Sequence, residues 1–340
     1  MRVLVCGGAG YIGSHMVREL IRAGHTPVVF DNLSTGHHWA LEAAFKGAAE
    51  KGLEPELITG DILNLGDVDD LFEKRPIDAV MHFSARSLVS ESVLRPDLYY
   101  HGILVGSLNL LAAANQARVD KIIFSSTAAV YGTPEEMPIE ESCPTQPITP
   151  YGQATKMVEM ILEDYAQAHG LKSVALRYFN AAGADPGGDL GEEHQPETHL
   201  IPNVLKAILG QTPPLEIFGN DYPTPDGTPI RDYVFVGDVA RAHLLALDFL
   251  DRQPRPGFSA FNIGSGRGFS VMEVMAAAER VTGQWVPYKF AHRRPGDPPV
   301  LVASAEKAKK ELGWDPEVTS LDEIIRSAWN WFRQRAESPA

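Results

Sequence analysis

The chain has 340 residues, 44% of them hydrophobic, and a formal net charge of −14. That size and apolar content suit one large or two moderate domains with proper cores, and the acidic balance argues against a sequence-independent grip on nucleic acid. Cys6 and Cys143 are the only cysteines and no apolar run approaches the roughly 18 residues of a membrane span, which excludes a disulfide framework and a spanning helix. The cysteine usage fits a reducing compartment. The first residues run straight into a strand-like segment with no signal peptide, so a cytoplasmic location is expected.

Arg2-Val3-Leu4-Val5-Cys6 is a short apolar run with β-branched residues and reads as a buried parallel strand. Gly7-Gly8-Ala9-Gly10-Tyr11-Ile12-Gly13 follows, and a helical pattern continues to about Ala23. Gly7, Gly10 and Gly13 between a strand and a helix permit a tight turn and the close approach of a pyrophosphate to the helix N-terminus. Pro27-Val28-Val29-Phe30 reads as a second strand ending in Asp31, an acid placed to bind a ribose 2′-hydroxyl and so to favour NAD over NADP. Leu57-Ile58-Thr59-Gly60 ends at Asp61-Ile62, which could edge the adenine. Ala79-Val80-Met81-His82-Phe83 ends at Ser84-Ala85-Arg86, and Lys121-Ile122-Ile123-Phe124 at Ser125-Ser126-Thr127. Helical patterns fill the gaps, notably about Pro96–Gln116. Repeated βα units predict an α/β fold with a Rossmann-like, doubly wound parallel sheet, whose ligands bind beyond the carboxyl ends of the strands.

Tyr151-Gly152-Gln153-Ala154-Thr155-Lys156 opens the next helical pattern. Free tyrosine has a pKa of about 10, and lowering it to about 7 needs roughly 4 kcal/mol of differential stabilisation. A nearby ammonium and a cationic nicotinamide ring can supply that together. Three residues usually separate such a pair. Four do so here, which puts Lys156 about 140° from Tyr151 around an ideal helix instead of about 40°. A π-bulge near Ala154 is expected to absorb the extra residue.

Gly7 to Gly13, Asp31, Asp61-Ile62, Ser125-Ser126-Thr127 and Tyr151 together resemble the extended short-chain dehydrogenase/reductase superfamily. The resemblance implies that Thr127 holds the substrate hydroxyl, that Tyr151 is the base, and that Lys156 tunes it and binds the nicotinamide ribose. It also implies NAD as cofactor, held by Gly7, Gly10, Tyr11, Ile12 and Gly13 at the turn and by Asp31, Asn32, Asp61 and Ile62 at the adenosine end. Phe83, Ser84, Ala85 and Ser125 would also hold the cofactor, with Tyr178 at the nicotinamide edge.

In the second half, Ser173-Val174-Ala175-Leu176 leads into Arg177-Tyr178-Phe179-Asn180, and the composition then turns irregular and rich in proline and glycine. Helical patterns return at about Val236–Leu250, Val271–Thr282 and Ala305–Leu312. Arg293-Arg294-Pro295-Gly296-Asp297-Pro298 is a basic loop in an acidic chain. With Arg231 it suits a diphosphate, which guanidinium binds bidentately, although Arg293 also reads as half of a solvated charge pair.

Gly191 to His194, Thr198 to Pro202, Ile217 to Gly227, Arg231-Asp232-Tyr233 and Arg294 to Asp297 are similar to UDP-glucose 4-epimerases, and the likeness runs from Met1 to about Phe332. It implies a UDP-sugar pocket lined by Asn180, His199, Leu200, Phe218, Arg231, Arg294 and Asp297. Leu301 stands where some members have a bulkier tyrosine, which is compatible with a roomier pocket. The expected organisation is an NAD domain over 1–180 and a smaller α+β nucleotide-sugar domain over 181–335, with about 232–262 returning to the first. The implied reaction is 4-epimerisation of a UDP-hexose through a 4-keto sugar with retained NAD. Epimerisation of a UDP-N-acetylhexosamine or UDP-pentose stays open, as does a catalytically impaired binding protein. Ala128 and Ala129 replace the acid that dehydratases and decarboxylases of the superfamily carry after their Thr or Ser. Ile103 stands where the family has Asn, Cys6 where Thr is common and Ser84 where Ala is common. The resemblance also implies a homodimer through Leu104, Leu108 and Leu111 with Val158, Ile161 and Leu162, positions that core packing explains equally well. His37-His38 and Glu193-His194 show no metal-binding spacing, so no metal is expected.

Overall fold

The computed structural model describes residues 1–294 and 297–337, so Pro295 and Gly296 of the basic loop lie outside the described residues. Seven strands form one sheet in the order β10-β6-β5-β4-β1-β2-β3, every neighbouring pair parallel. They are β1 (Arg2–Cys6), β2 (Thr26–Asp31), β3 (Glu56–Thr59), β4 (Ala79–His82), β5 (Lys121–Thr127), β6 (Lys172–Tyr178) and β10 (Gly257–Ile263). The chain winds outward from β1 to β3, then returns to β4 on the other side of β1, so the switch point lies between β1 and β4, where a doubly wound sheet opens its crevice.

Side chains along β1 alternate between two cores, as a strand covered on both faces requires. Val3 and Val5 join the apolar layer of helices α1 (Tyr11–Arg22), α2 (His38–Ala44) and α9 (Val236–Arg252). Leu4 and Cys6 join the opposite layer, with α3 (Leu65–Lys74), α6 (Gly106–Gln116) and α7 (Pro150–His169). Short helices α4 (Val89–Leu94) and α5 (Pro96–Tyr99) precede α6. The expected single helix over Pro96–Gln116 is interrupted by a π-helical turn at Tyr100–Val105. The turn falls where Tyr99 and Ile103 both point inward at 0% and 1% exposure. The helical pattern expected over Ala305–Leu312 ends in a second π-helical stretch, Ala308–Leu312.

The smaller lobe combines β7 (Asn180–Ala182), β9 (Ile230–Phe235), β11 (Gly268–Ser270) and β13 (Val300–Leu301) in one sheet, and β8 (Leu215–Phe218) with β12 (Tyr288–Ala291) in another. Helices α8 (Leu200–Ile208), α10 (Val271–Thr282) and α11 (Leu321–Glu337) pack on them around a third core containing Tyr233, Phe235, Ile324 and Trp331. The segment after β9 rejoins the large sheet, because α9 packs on α1 and β10 pairs with β6. No helix among the described residues is long and apolar enough to cross a membrane.

Candidate functional site

A single cavity of about 1860 Å³ lies at the carboxyl ends of the large sheet and extends over the smaller lobe. One wall is the turn after β1. Gly7 has φ +77°, and its N–H donates to Phe30 O at 2.9 Å. A Cβ at Gly13 would stand 2.1 Å from Gly7 O, so the turn closes only with glycine there. Helix α1 begins at Tyr11 without a side-chain cap, which leaves its first N–H groups suited to an anion. Asp31 closes this end: its carboxylate accepts from Ala9 N and Leu33 N, both at 2.9 Å. Burial raises its pKa, and those two N–H groups only partly offset it. Asn32 Nδ2 donates to Asp61 Oδ2 at 3.0 Å, joining the ends of β2 and β3. Apart from Ala9, these residues, with Gly10, Ile12, Ile62, Phe83, Ser84 and Ala85, line the cavity. The donor set and the glycine cradle fit a dinucleotide such as NAD.

The reacting end is built from β5, β6 and α7. Thr149 caps α7 by accepting from Gly152 N at 3.2 Å, Pro150 occupies its first turn, and Tyr151 is thereby set at the cavity edge. The Tyr151 ring packs edge-on against Tyr99 at 6.3 Å. Burial raises its pKa, and the Thr127 hydroxyl partly offsets this; no cation among the described residues contributes. Beside them Ser125 Oγ and Tyr178 OH are hydrogen-bonded, and Tyr178 is also pushed upward by burial. Ser125, Thr127, Tyr151 and Tyr178 therefore form one hydroxyl cluster on the cavity wall.

Lys156 does not join that cluster. Helix α7 is α-helical throughout, with no π-bulge at Ala154, so the extra residue is not absorbed. Lys156 is rotated off the Tyr151 face; its Nζ donates to Thr145 O at 2.5 Å and does not line the cavity. Thr155 takes the place one turn after Tyr151, is 2% exposed, and donates to Tyr151 O at 2.9 Å. Ala154, Val158 and Leu162 are committed to the core, which fixes this register against the expectation for the lysine. Ile103 packs in the same apolar cluster.

The other wall belongs to the smaller lobe. Asn180, Leu200, Phe218, Arg231, Arg294, Asp297 and Leu301 line it, and His199 stands at the N-cap of α8. Arg231 pairs with Asp297, and the Arg294 guanidinium lies 4.1 Å from the Phe218 ring centroid. Arg293 is not part of the wall: it pairs with Asp221 and stacks over Tyr222 at 4.2 Å. Sequence reasoning missed Glu192, His194 and Glu197, which meet His199 on this wall. Their irregular spacing on a loop matches no helix or strand period, so only the fold brings them together.

Residues 3–264 match the family model described as NAD dependent epimerase/dehydratase family. The chain belongs to that family. The UDP-glucose 4-epimerase of Azospirillum brasilense is 50% identical over 337 residues, 99% of this chain and 93% of that relative. The crystal structure of UDP-glucose 4-epimerase from Brucella ovis in complex with NAD aligns with a TM-score of 0.90 at 46% identity, covering 97% of this chain and 98% of that one. The Bifidobacterium longum enzyme in complex with NAD+ and UDP aligns with a TM-score of 0.93 at 38% identity, covering 99% of both chains.

Proposed function

We propose that the protein interconverts UDP-galactose and UDP-glucose by NAD-dependent 4-epimerisation. The observation that carries this reading is one cavity lined both by the dinucleotide turn of Gly7 to Gly13 and by Arg231, Arg294 and Phe218. Full-length similarity to UDP-glucose 4-epimerases supports it. NAD would be held by the α1 turn, Asp31 and the Asn32–Asp61 pair, and when bound it supplies the acceptor and donor of the C4 hydride. Tyr151 takes the proton of the sugar 4-hydroxyl, and Thr127 orients that hydroxyl. Arg231 and Arg294 hold the diphosphate, so binding strength is applied far from the reacting carbon and leaves the sugar free to turn. Phe218 offers an apolar face to the nucleotide. Ala128 and Ala129 provide no acid for elimination.

A second reading, tolerance of UDP-N-acetylhexosamines, is favoured by Leu301 on the cavity wall. Leu301→Tyr is then expected to reduce turnover of UDP-N-acetylgalactosamine more than that of UDP-galactose; equal losses would count against it. The buried Cys6 and unpaired Cys143 suit a cytoplasmic location. A homodimer is the expected assembly; of the positions expected to carry it, Leu111, Val158 and Leu162 are buried in the core, and Leu108, at 38% exposure, offers apolar surface on α6. The deciding experiment is conversion of UDP-galactose by purified protein without added NAD, beside Tyr151→Phe. Turnover in the wild type alone is expected. No turnover, even with NAD supplied, would overturn the reading.

A further inference from the structure

The segment between β7 and α8 carries a cluster that the epimerase chemistry does not use. Gly191 lets it lie flat on α11, because a Cβ there would stand 2.4 Å from Trp331 Cγ. Glu192 is 3% exposed and its Oε1 meets the Nδ1 atoms of both His194, at 3.2 Å, and His199. His194 Nδ1 also lies 3.7 Å from Glu197 Oε1. That second carboxylate is anchored at the start of α8, where its Oε1 accepts from Thr198 N at 2.8 Å and His199 N at 3.0 Å. Its side chain is 4% exposed, and Oε2 has no hydrogen-bond partner among the described residues; Lys206 Nζ stands 3.9 Å away. One donor atom from each of Glu192, His194, Glu197 and His199 lies within 4.8 Å of the other three.

We infer that these four side chains form a binding site for a divalent first-row cation of the Zn2+ or Co2+ type on the wall of the nucleotide-sugar cavity. The donor set is two imidazole nitrogens and two carboxylate oxygens, a borderline combination that suits such ions in tetrahedral coordination. Ligands at the usual distances from such an ion stand roughly 3.4 Å apart, so the widest pair has to close by about 1.4 Å while the Glu192–His199 contact opens. Charge is compatible with this: two carboxylates are buried here, and a doubly charged ion with two neutral imidazoles balances them as two protonated imidazoles do. Tyr11, whose ring lies 6.4 Å from that of His194, places the cluster beside the start of α1.

The test needs no turnover and is therefore separate from the epimerase reading. Full-length protein is stripped with a chelator, dialysed and titrated with CoCl2 while its visible spectrum is recorded, then with ZnCl2 as competitor. The expected result is the intense ligand-field absorption of tetrahedral Co2+, saturating at one equivalent and abolished by Zn2+. Glu197→Gln and His194→Ala should each weaken binding at least about tenfold. Thermal melts confirm that both variants are folded, and Glu197→Gln, which preserves side-chain shape, decides if His194→Ala is not. A spectrum no different from hydrated Co2+, or equal binding in the folded variants, would show a proton-bridged cluster only and overturn the inference.

Discussion

The dinucleotide end of the cavity and its reacting end differ in what holds their polar groups. At the dinucleotide end Asp31 is fixed by two backbone N–H groups, Asn32 by Asp61, and the turn by glycines that admit no side chain. At the reacting end Ser125, Thr127, Tyr151 and Tyr178 face one another, and no cation of the described chain acts on Tyr151. The polar groups of that end are thus held in place by the chain itself. On the proposed mechanism the proton would go to a phenol whose burial disfavours its charged form, offset in part by the Thr127 hydroxyl, and the positive charge of a bound oxidised cofactor would add to that stabilisation.

The largest effect should come from breaking the preformed end. Gly13→Ala places a Cβ against Gly7 O, so the purified variant is expected to carry no NAD, as read from its absorbance and thermal shift. Retained NAD would mean that the turn is looser than its contacts. Next is the reacting end: Tyr151→Phe is expected to lower kcat by about a hundredfold to ten-thousandfold while NAD stays bound. Loss of NAD along with turnover would instead make Tyr151 part of the cofactor cradle.

The comparison sharpens on the lysine. Because Lys156 bonds to Thr145 O, Lys156→Met is expected to change turnover only a few-fold. Wild-type turnover should rise with pH, since the base must be deprotonated and burial raises the pKa of Tyr151. Thr155→Lys combined with Lys156→Thr puts an ammonium one turn from Tyr151 without moving the helix register. The acid limb of the pH–rate profile should then shift down by about one to three units. An unmoved limb would show that the buried position of Thr155 cannot present a charge to the phenol.

Much of this difference could be read in the sequence. The β1 turn was legible because strand, glycines and helix are contiguous, and Asp31 because an acid ends the next strand. The Tyr151–Lys156 spacing was visible too, but not its outcome. Whether a helix bulges or rotates depends on which residues the core holds, and Ala154, Val158 and Leu162 are fixed by contacts with distant strands and helices. The π-helical turn fell instead at Tyr100–Val105, in the segment packed against α7. Glu192, His194 and Glu197 were unreadable as a cluster because a loop has no period, and Arg293 because its partner Asp221 lies 72 residues away.

The smallest effect concerns the wall behind the reacting end. The His243 ring lies 4.6 Å from that of Phe83 and 6.3 Å from that of Tyr178, and its Nδ1 donates to Val239 O at 2.9 Å. Burial lowers its pKa from 6.5 to about 4, as it does for His15 and His82. Between those values the unfolded chain binds a proton that the folded chain refuses. The contribution of each histidine is therefore complete above about pH 6.5 and lost as pH falls through about 4, reaching roughly 3 kcal/mol apiece. His243→Phe removes one of the three proton-binding groups, so thermal stability should fall less steeply between pH 6.5 and 4, while the difference between variant and wild type stays constant above that window. A variant whose acid limb runs parallel to the wild type would show that His243 takes up its proton as readily in the folded protein as in the unfolded chain.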